Sequence, residues 1–319
     1  MLRTLGAAFA AGTVFLSAGW GFQNDTGPVL AATVRARPQP AASITADIRV
    51  DASLVLIPAH VTNATGAIVS NLTKADFQIT EDGVPQTITQ FSLDDAPASI
   101  GLIYDCSGSM HGKMHRSEAA AEAFFRTSNP KDEFFLVEVA DRAKLKEPFT
   151  AQPDDILSQL ARVRPFGFTA LLDGLQVGMK QMEQAHNLRK ALVVLSDGGD
   201  NHSRRNVREI KNALLESDVQ LYAMGLFDQG RHKLSSEERR GPDLLDELAA
   251  ETGGRLYPVT SLDDLPSISQ RISNDVRTEY MLGYLAPSNN RDGKYHRVKV
   301  TVATPGLHTY YRQGYFAPQ

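Results

Sequence analysis

Cysteine is nearly absent from this chain of 319 residues, and the one cysteine, Cys106, has no internal partner for a disulfide. The fold must therefore be stable on its hydrophobic core alone. Lysine and arginine form no stripe, only the isolated pairs 204–205 and 239–240, and the net charge is -4. These features argue against a nucleic-acid-binding protein. The composition, 42% hydrophobic and 22% charged, is that of a globular chain with two or three compact units.

A long apolar run that could span a bilayer is missing as well. The longest charge-free apolar run near the start, Leu5 to Ala18, follows Arg3 and is shorter than the about 20 residues of a spanning helix. We assign residues 1–32 to a signal peptide and its cleavage region, with a retained anchor as the alternative. The sequence thus predicts an exported protein that is periplasmic, envelope-associated or secreted and has no stable membrane span after cleavage.

The two flanks of the chain show β patterning. Residues 33–43 contain Arg-Pro-Gln-Pro and are predicted to be a linker. Residues 44–96 alternate every second position and are predicted to form a small, immunoglobulin-like β segment with a turn at Asp82-Gly83. A second β segment is expected over 276–319. It either packs with 44–96, which would make the intervening domain an insertion, or forms a separate element.

The middle of the chain, residues 97–275, alternates apolar runs with amphipathic stretches of helical length. This alternation predicts an α/β fold in which a doubly wound, mostly parallel central sheet is covered by helices on both faces. The predicted strands are 99–104, 133–140, 190–196, 219–226 and 254–259, with an edge strand near 145–150. The predicted helices are 114–128, 154–163, 170–185, 205–217, 241–252 and 262–278.

Oxygen-bearing side chains follow the strand ends of this domain. The apolar run 100–104 leads directly into Asp105-Cys106-Ser107-Gly108-Ser109, at the sheet edge where open parallel sheets bind ligands. Thr169 and Asp197 can reach the same place from neighbouring loops. Carboxylate and hydroxyl oxygens suit a hard dication such as Mg²⁺. Because only two carboxylates would face the ion, an outside glutamate or aspartate is an attractive further ligand.

These residues resemble the metal-ion-dependent adhesion site of von Willebrand factor type A domains, in Asp105 to Ser109, in Phe168-Thr169-Ala170-Leu171 and in Leu195-Ser196-Asp197-Gly198. The flanks resemble a group of bacterial exported proteins of this kind that is abundant in Acidobacteria. The resemblance implies a Rossmann-like domain that is not an enzyme. It implies that Asp105, Ser107, Ser109, Thr169 and Asp197 bind Mg²⁺ or Mn²⁺ and that the metal engages a carboxylate of a partner protein. Cys106 occupies a spacer position, and a soft thiolate would suit Mg²⁺ poorly.

Other interpretations of the same residues stay open. Aspartate and serine also cap helices, so the site could be vestigial in a structural envelope protein. A metal-dependent hydrolase would need a base beside the ion, for which Asp200 and Asp228 are the first candidates. Asp173 is predicted to lie on a helix face or behind the ligands. His111 and His115 are predicted to be surface residues, because the sequence between them lacks the glutamate of a zinc protease motif.

Overall fold

The computed structural model describes residues 53–227, 235–286 and 292–317. The predicted signal peptide and linker, together with Asp228, lie outside the described residues. The N-terminal part contains four strands, and a short 3-10 turn at Lys74–Asp76 precedes the second. These strands are β1 (Ser53–Thr62), β2 (Phe77–Glu81), β3 (Val84–Gln86) and β4 (Ile88–Asp95).

The middle of the chain alternates strands and helices, as the hydrophobic pattern predicts. Its strands are β5 (Ala98–Asp105), β6 (Glu133–Val139), β7 (Ala143–Thr150), β8 (Arg189–Ser196), β9 (Gln220–Gly225) and β10 (Leu256–Pro258). Its helices are α1 (Met114–Phe125), α2 (Pro153–Leu160), α3 (Leu171–Met182), α4 (Val207–Glu216), α5 (Ser236–Thr252) and α6 (Leu265–Arg277). Among the described helices, none combines the length and the apolar character needed to cross a bilayer.

Helix α5 begins five residues before the predicted start at 241. Ser235 caps it, because the serine hydroxyl accepts the backbone N–H of Glu238 while the Glu238 carboxylate accepts the N–H of Ser235. The prediction placed the start beside Pro242, which instead lies inside the helix.

The central sheet has the strand order β10-β9-β8-β5-β6-β7, and only β7 runs antiparallel to its neighbour. This confirms the predicted doubly wound, mostly parallel sheet. All eight residues of β5 are buried, because α1, α2 and α6 cover one face of the sheet and α3, α4 and α5 cover the other. The chain leaves β5 toward one face and β8 toward the other. The carboxyl ends of β5 and β8 therefore form a switch point, the usual place for a ligand in such sheets.

The C-terminal part adds four strands, β11 (Thr278–Ala286), β12 (Tyr295–Val302), β13 (His308–Tyr311) and β14 (Gly314–Phe316). They join the N-terminal strands in two sheets, ordered β13-β1-β11-β4 and β14-β12-β2-β3, which share one core. Since β4 pairs antiparallel with β11 directly before and after the α/β domain, the chain enters and leaves that domain through adjacent strands. The predicted domain boundaries themselves stay a prediction.

Buried polar contacts connect the β sheets to the α/β domain. Arg189 at the start of β8 forms an ion pair with Glu279 of β11, and both side chains are buried. His60 of β1 lies with its Nε2 3.0 Å from the hydroxyl of Tyr222 in β9. The described residues accordingly belong to one compact unit.

Candidate metal centre

Asp105 is the last residue of β5 and lies at the switch point of the sheet. Its side chain is fully buried. One carboxylate oxygen accepts the backbone N–H of Ser107 at 2.9 Å, and the other accepts the hydroxyl of Ser196 at 2.5 Å. Ser196 ends β8, the strand beside β5, so the carboxylate is held by groups from both strands. The contact with Ser196 was not predicted from the sequence.

The Asp105 carboxylate lies in an environment that opposes its charge. Burial, and after it the negative charge of Asp197, raise the pKa of Asp105 to about 6, although hydrogen bonds from Ser196 and Ser107 lower it in part. Two carboxylates therefore interact within one buried site. A dication placed there would relieve the repulsion between them.

The two serines of the motif lie together at the edge of this site. The hydroxyl oxygens of Ser107 and Ser109 are 3.1 Å apart. Ser107 is buried and Ser109 is half-buried, because a 3-10 turn at Gly108–Met110 follows the strand and turns the chain back. The turn places two hydroxyl oxygens beside the buried carboxylate of Asp105.

The loop that carries Thr169 is hydrogen-bonded to both other loops. The backbone N–H of Gly108 donates to Gly167 at 3.0 Å, and the N–H of Thr169 donates to the side-chain oxygen of Asn201 at 2.9 Å. The carbonyl of Thr169 accepts the N–H groups of Asn201 and His202. The three predicted pieces of the motif thus come from separate parts of the chain and meet at one end of the sheet.

Asp197 forms an ion pair that the sequence did not predict. The Nζ of Lys113 donates to a carboxylate oxygen of Asp197 at 2.7 Å, and both side chains are 3% exposed. Lys113 directly precedes α1, four residues after Ser109. The only signal in the sequence was a lysine at the start of an amphipathic helix, where a basic side chain usually faces solvent. In the structure, the ammonium group of Lys113 is instead buried and paired with Asp197, a candidate metal ligand.

Cys106 points away from this cluster. Its Sγ donates to the carbonyl of Val139 at 3.2 Å, and burial raises the pKa of the thiol to about 12. The candidate donors are therefore oxygens only, a set that fits a hard dication such as Mg²⁺ or Mn²⁺.

The remaining candidate residues have structural partners. Burial raises the pKa of Asp200, and its carboxylate accepts the hydroxyl of Ser203 and the N–H of Leu172. The Asp173 carboxylate accepts the backbone N–H groups of Arg204 and Arg205, just before α4. His111 and His115 are exposed.

Gly241 of α5 fixes the position of the Asp197 loop. A Cβ at Gly241 would lie 2.2 Å from the carbonyl oxygen of Asp197 and 3.0 Å from the carbonyl carbon of Gly198. Helix α5 and the loop are therefore in direct backbone contact, and there is no room for a side chain at position 241.

We expect Gly241→Ala to lower Mg²⁺ affinity about tenfold, because the loop must move and a 1 Å shift is costly at a site that depends on geometry. It should also destabilise the fold by about 1–3 kcal/mol, although alanine is the better helix former. Isothermal titration and urea unfolding measure the two effects. Gly112→Ala is the control, since no described atom lies within 4 Å of its Cβ position. Equal behaviour of the two variants would contradict the role of Gly241.

An open, doubly wound sheet with carboxylate and hydroxyl oxygens clustered at its switch point defines a class of α/β ligand-binding domains. Residues 100–199 match the family model of the von Willebrand factor type A domain. All five candidate ligands lie inside the matched range. Over these residues the α/β domain of this chain is similar to a von Willebrand factor type A domain.

Individual proteins show more distant similarity. An uncharacterized protein of Synechocystis, sll0103, is 25% identical over 199 residues, which are 60% of this chain and 46% of that protein, so the chain spans about half the length of this curated relative. A von Willebrand factor type A structure from Catenulispora acidiphila is 12% identical, with a TM-score of 0.49 over 85% of this chain and 75% of its own. The vWF domain of the type V pili tip protein Mfa5 from Porphyromonas gingivalis is 11% identical, with a TM-score of 0.48 over 57% of this chain and 95% of its own.

Proposed function

We propose that this chain is an exported adhesion or scaffold module that binds a partner protein through a divalent cation. Asp105, Ser107, Ser109, Thr169 and Asp197 would hold Mg²⁺ or Mn²⁺, and a glutamate or aspartate of the partner would complete the coordination. The observation that carries the proposal is the fully buried Asp105 carboxylate, which interacts with Asp197 beside paired serine hydroxyls.

The charge of the site favours an acidic partner. Of the two carboxylates, Asp197 is already paired with Lys113, so an ion would be neutralised only in part by the protein. An under-neutralised dication attracts a further carboxylate. The export assignment rests on the N-terminal sequence pattern, and the non-enzymatic assignment on the domain family.

Exposed aromatic side chains beside the site suit a protein partner. Phe166 and Phe168 are 50% and 58% exposed and flank Gly167, which bonds the turn between Ser107 and Ser109. Phe168 also stacks on His202, with ring centroids 5.1 Å apart. Aromatic residues are enriched where proteins bind one another, and here they would lie around the point at which a carboxylate reaches the metal.

One observation favours the alternative of a structural protein with a vestigial site. Since Lys113 already supplies a positive charge to Asp197, the cluster is partly neutralised without any metal. A hydrolase is less well supported, because the carboxylate of its candidate base, Asp200, is engaged by Leu172 and Ser203. Turnover of a generic phosphoester or peptide that depended on Asp197 would favour the hydrolase.

The proposed function is tested by metal-dependent capture from an envelope extract of the producing cells. The full chain is immobilised as bait, and retained proteins are compared in Mg²⁺ and in chelator. We expect a partner that is retained only with metal and is lost with Asp105→Ala, because the ion links the two proteins. Phe168→Ala should weaken capture while leaving Mg²⁺ binding unchanged. His111→Ala, an exposed neighbour on the turn, should change neither.

The outcomes separate the two main functions. Mg²⁺ binding without metal-dependent capture would remove the adhesive role and leave a metal-binding structural protein. Absence of Mg²⁺ binding by the unmodified chain, measured by isothermal titration, would establish the vestigial alternative.

A further inference from the structure

A second group of potential metal ligands lies in the β sheets that flank the α/β domain. Glu81 ends β2, Asp82 follows it in the turn to β3, and His296 lies near the start of β12. One ligand atom from each of the three residues lies within 4.8 Å of the others. The β2–β12 pairing brings these N-terminal and C-terminal residues together.

The separations between the three atoms suit one small ion. The Nδ1 of His296 is 2.8 Å from a carboxylate oxygen of Asp82 and 3.6 Å from Oε1 of Glu81. Ligands bound to one Zn²⁺ at about 2.0–2.2 Å lie about 3.3 Å apart in a tetrahedron. One nitrogen and two oxygens also form a donor set that Zn²⁺ accepts.

Neighbouring groups hydrogen-bond to each of the three residues. The Nε2 of His296 is 3.2 Å from a carboxylate oxygen of Asp292, the carboxylate–histidine arrangement that orients many metal-binding imidazoles. The other oxygen of Asp82 accepts the backbone N–H of Arg297 at 2.9 Å. The hydroxyl of Tyr315 donates at 3.2 Å to Oε1 of Glu81, the oxygen that faces Nδ1 of His296. The contacts of His296 and Asp82 orient Nδ1 of His296 and Oδ2 of Asp82 toward each other.

Charge and access favour a dication at the same point. The carboxylates of Glu81, Asp82 and Asp292 all lie within 4.0 Å of the imidazole of His296. The Nζ of Lys294 lies 3.2 Å from Asp292. With the imidazole protonated, these groups carry one net negative charge. A divalent ion in place of that proton makes them neutral. His296 is buried, whereas the side chain of Asp82 is 51% exposed, so an ion has a path from solvent.

We propose that Glu81, Asp82 and His296 form a second, zinc-type metal site that ties the β2–β3 turn to strand β12. The ion would cross-link the N-terminal and C-terminal β segments, which already pair through β2 and β12. Its role is structural, and it is independent of the proposed adhesion site.

The test is zinc binding by the full, untagged chain, with zinc chloride alone as the probe and a chromogenic chelator as competitor. With excess Mg²⁺ present to occupy the Asp105 centre, we expect one equivalent of zinc bound with micromolar affinity, and a rise in Tm of about 5 °C at a zinc concentration of 100 Kd. His296→Gln should weaken binding at least tenfold and abolish the rise in Tm. Asp105→Ala should leave both unchanged, because it removes only the other centre.

His186→Gln is the matched control. His186 is exposed, and its Nδ1 lies 2.8 Å from Glu133, so it repeats the histidine–carboxylate contact without a second ligand. If His296→Gln does not fold by circular dichroism, Asp82→Asn at the exposed ligand carries the same expectation. The proposal is overturned if the unmodified chain binds no zinc, or if binding survives His296→Gln and Asp82→Asn. Loss of binding in Asp105→Ala or in His186→Gln would overturn it equally, since the zinc would then lie elsewhere.

Discussion

Replacing Asp105 with asparagine is expected to abolish Mg²⁺ binding and, in the same protein, to stabilise the metal-free fold. Affinity should fall at least 100-fold, because the variant removes one of only two carboxylates at the site and leaves the other paired with Lys113. The free energy of unfolding without metal should rise by about 1–3 kcal/mol at pH 7. Functional residues often lower the stability of the fold, so a stability gain in Asp105→Asn would support a functional role for Asp105.

The sign of the stability change follows from the raised pKa of Asp105. In the folded protein this pKa is about 6, against 3.8 for the ordinary group. An acid with a raised pKa holds its proton more tightly when folded, so its contribution to stability is complete below about pH 4. That contribution is lost as the pH rises toward 6, and above that the ionised carboxylate costs at most about 3 kcal/mol. Asparagine is neutral at every pH and avoids this loss.

Urea unfolding at pH 4 and at pH 7, with isothermal titration of Mg²⁺, measures both effects. The gain in stability should appear at pH 7 and shrink at pH 4. Asp200→Asn is the matched control, because Asp200 is a partly buried acid on the same rim with a raised pKa but is not a proposed ligand. It should keep Mg²⁺ binding. If Asp105→Asn binds Mg²⁺ as well as the unmodified chain, the proposed metal centre is wrong.

Replacing Lys113 with methionine is expected to have the opposite pair of effects. Without metal, the variant leaves Asp197 buried and uncompensated beside Asp105, and breaking such an ion pair costs about 3–5 kcal/mol. With metal, the repulsion between the ammonium and the dication is gone. A change of about 1.4–2.8 kcal/mol in that repulsion would raise Mg²⁺ affinity 10- to 100-fold, at about 1.4 kcal/mol for each factor of ten.

The same unfolding and titration measurements test this prediction. Mg²⁺ should restore most of the stability that Lys113→Met loses, since binding to the folded state alone stabilises it. Lys146→Met is the control, because Lys146 pairs with Glu138 at 3.0 Å but is 37% exposed and should cost less than about 1 kcal/mol. Weaker Mg²⁺ binding by Lys113→Met would show that the lysine supports the ion rather than competing with it.

The fold of the central domain could be predicted because the hydrophobic patterns that determine it lie within short stretches of the sequence. Parallel strands buried on both faces need continuous apolar runs, and the helices that cover them need apolar residues at three- and four-residue spacing. Both patterns are visible around β5 and α3, and the structure confirms the sheet they predict. The predicted start of α5 is five residues late, because the Ser235–Glu238 capping box begins the helix before Pro242.

The candidate site could be located by the same reasoning, but its electrostatics could not. Asp105, Ser107 and Ser109 lie within one turn after a strand, so their grouping follows from chain connectivity. Lys113 is in the same stretch of sequence, yet its position on Asp197 depends on how α1 packs beside β8, across 84 residues of chain. A sequence pattern predicts where a side chain lies along a helix. It does not predict which charged group from another element that side chain will contact.

The doubly wound sheet, the order of its elements and the oxygen-rich turn after β5 can all be predicted from the amino-acid sequence, because each follows from periodicity and spacing within a short stretch. Three other features can be seen only in the tertiary structure. They are the buried ion pair at Asp197, the backbone contact of Gly241 and the proximity of Glu81 to His296. These contacts join residues far apart in sequence, and their geometry is set only when whole elements pack into one core.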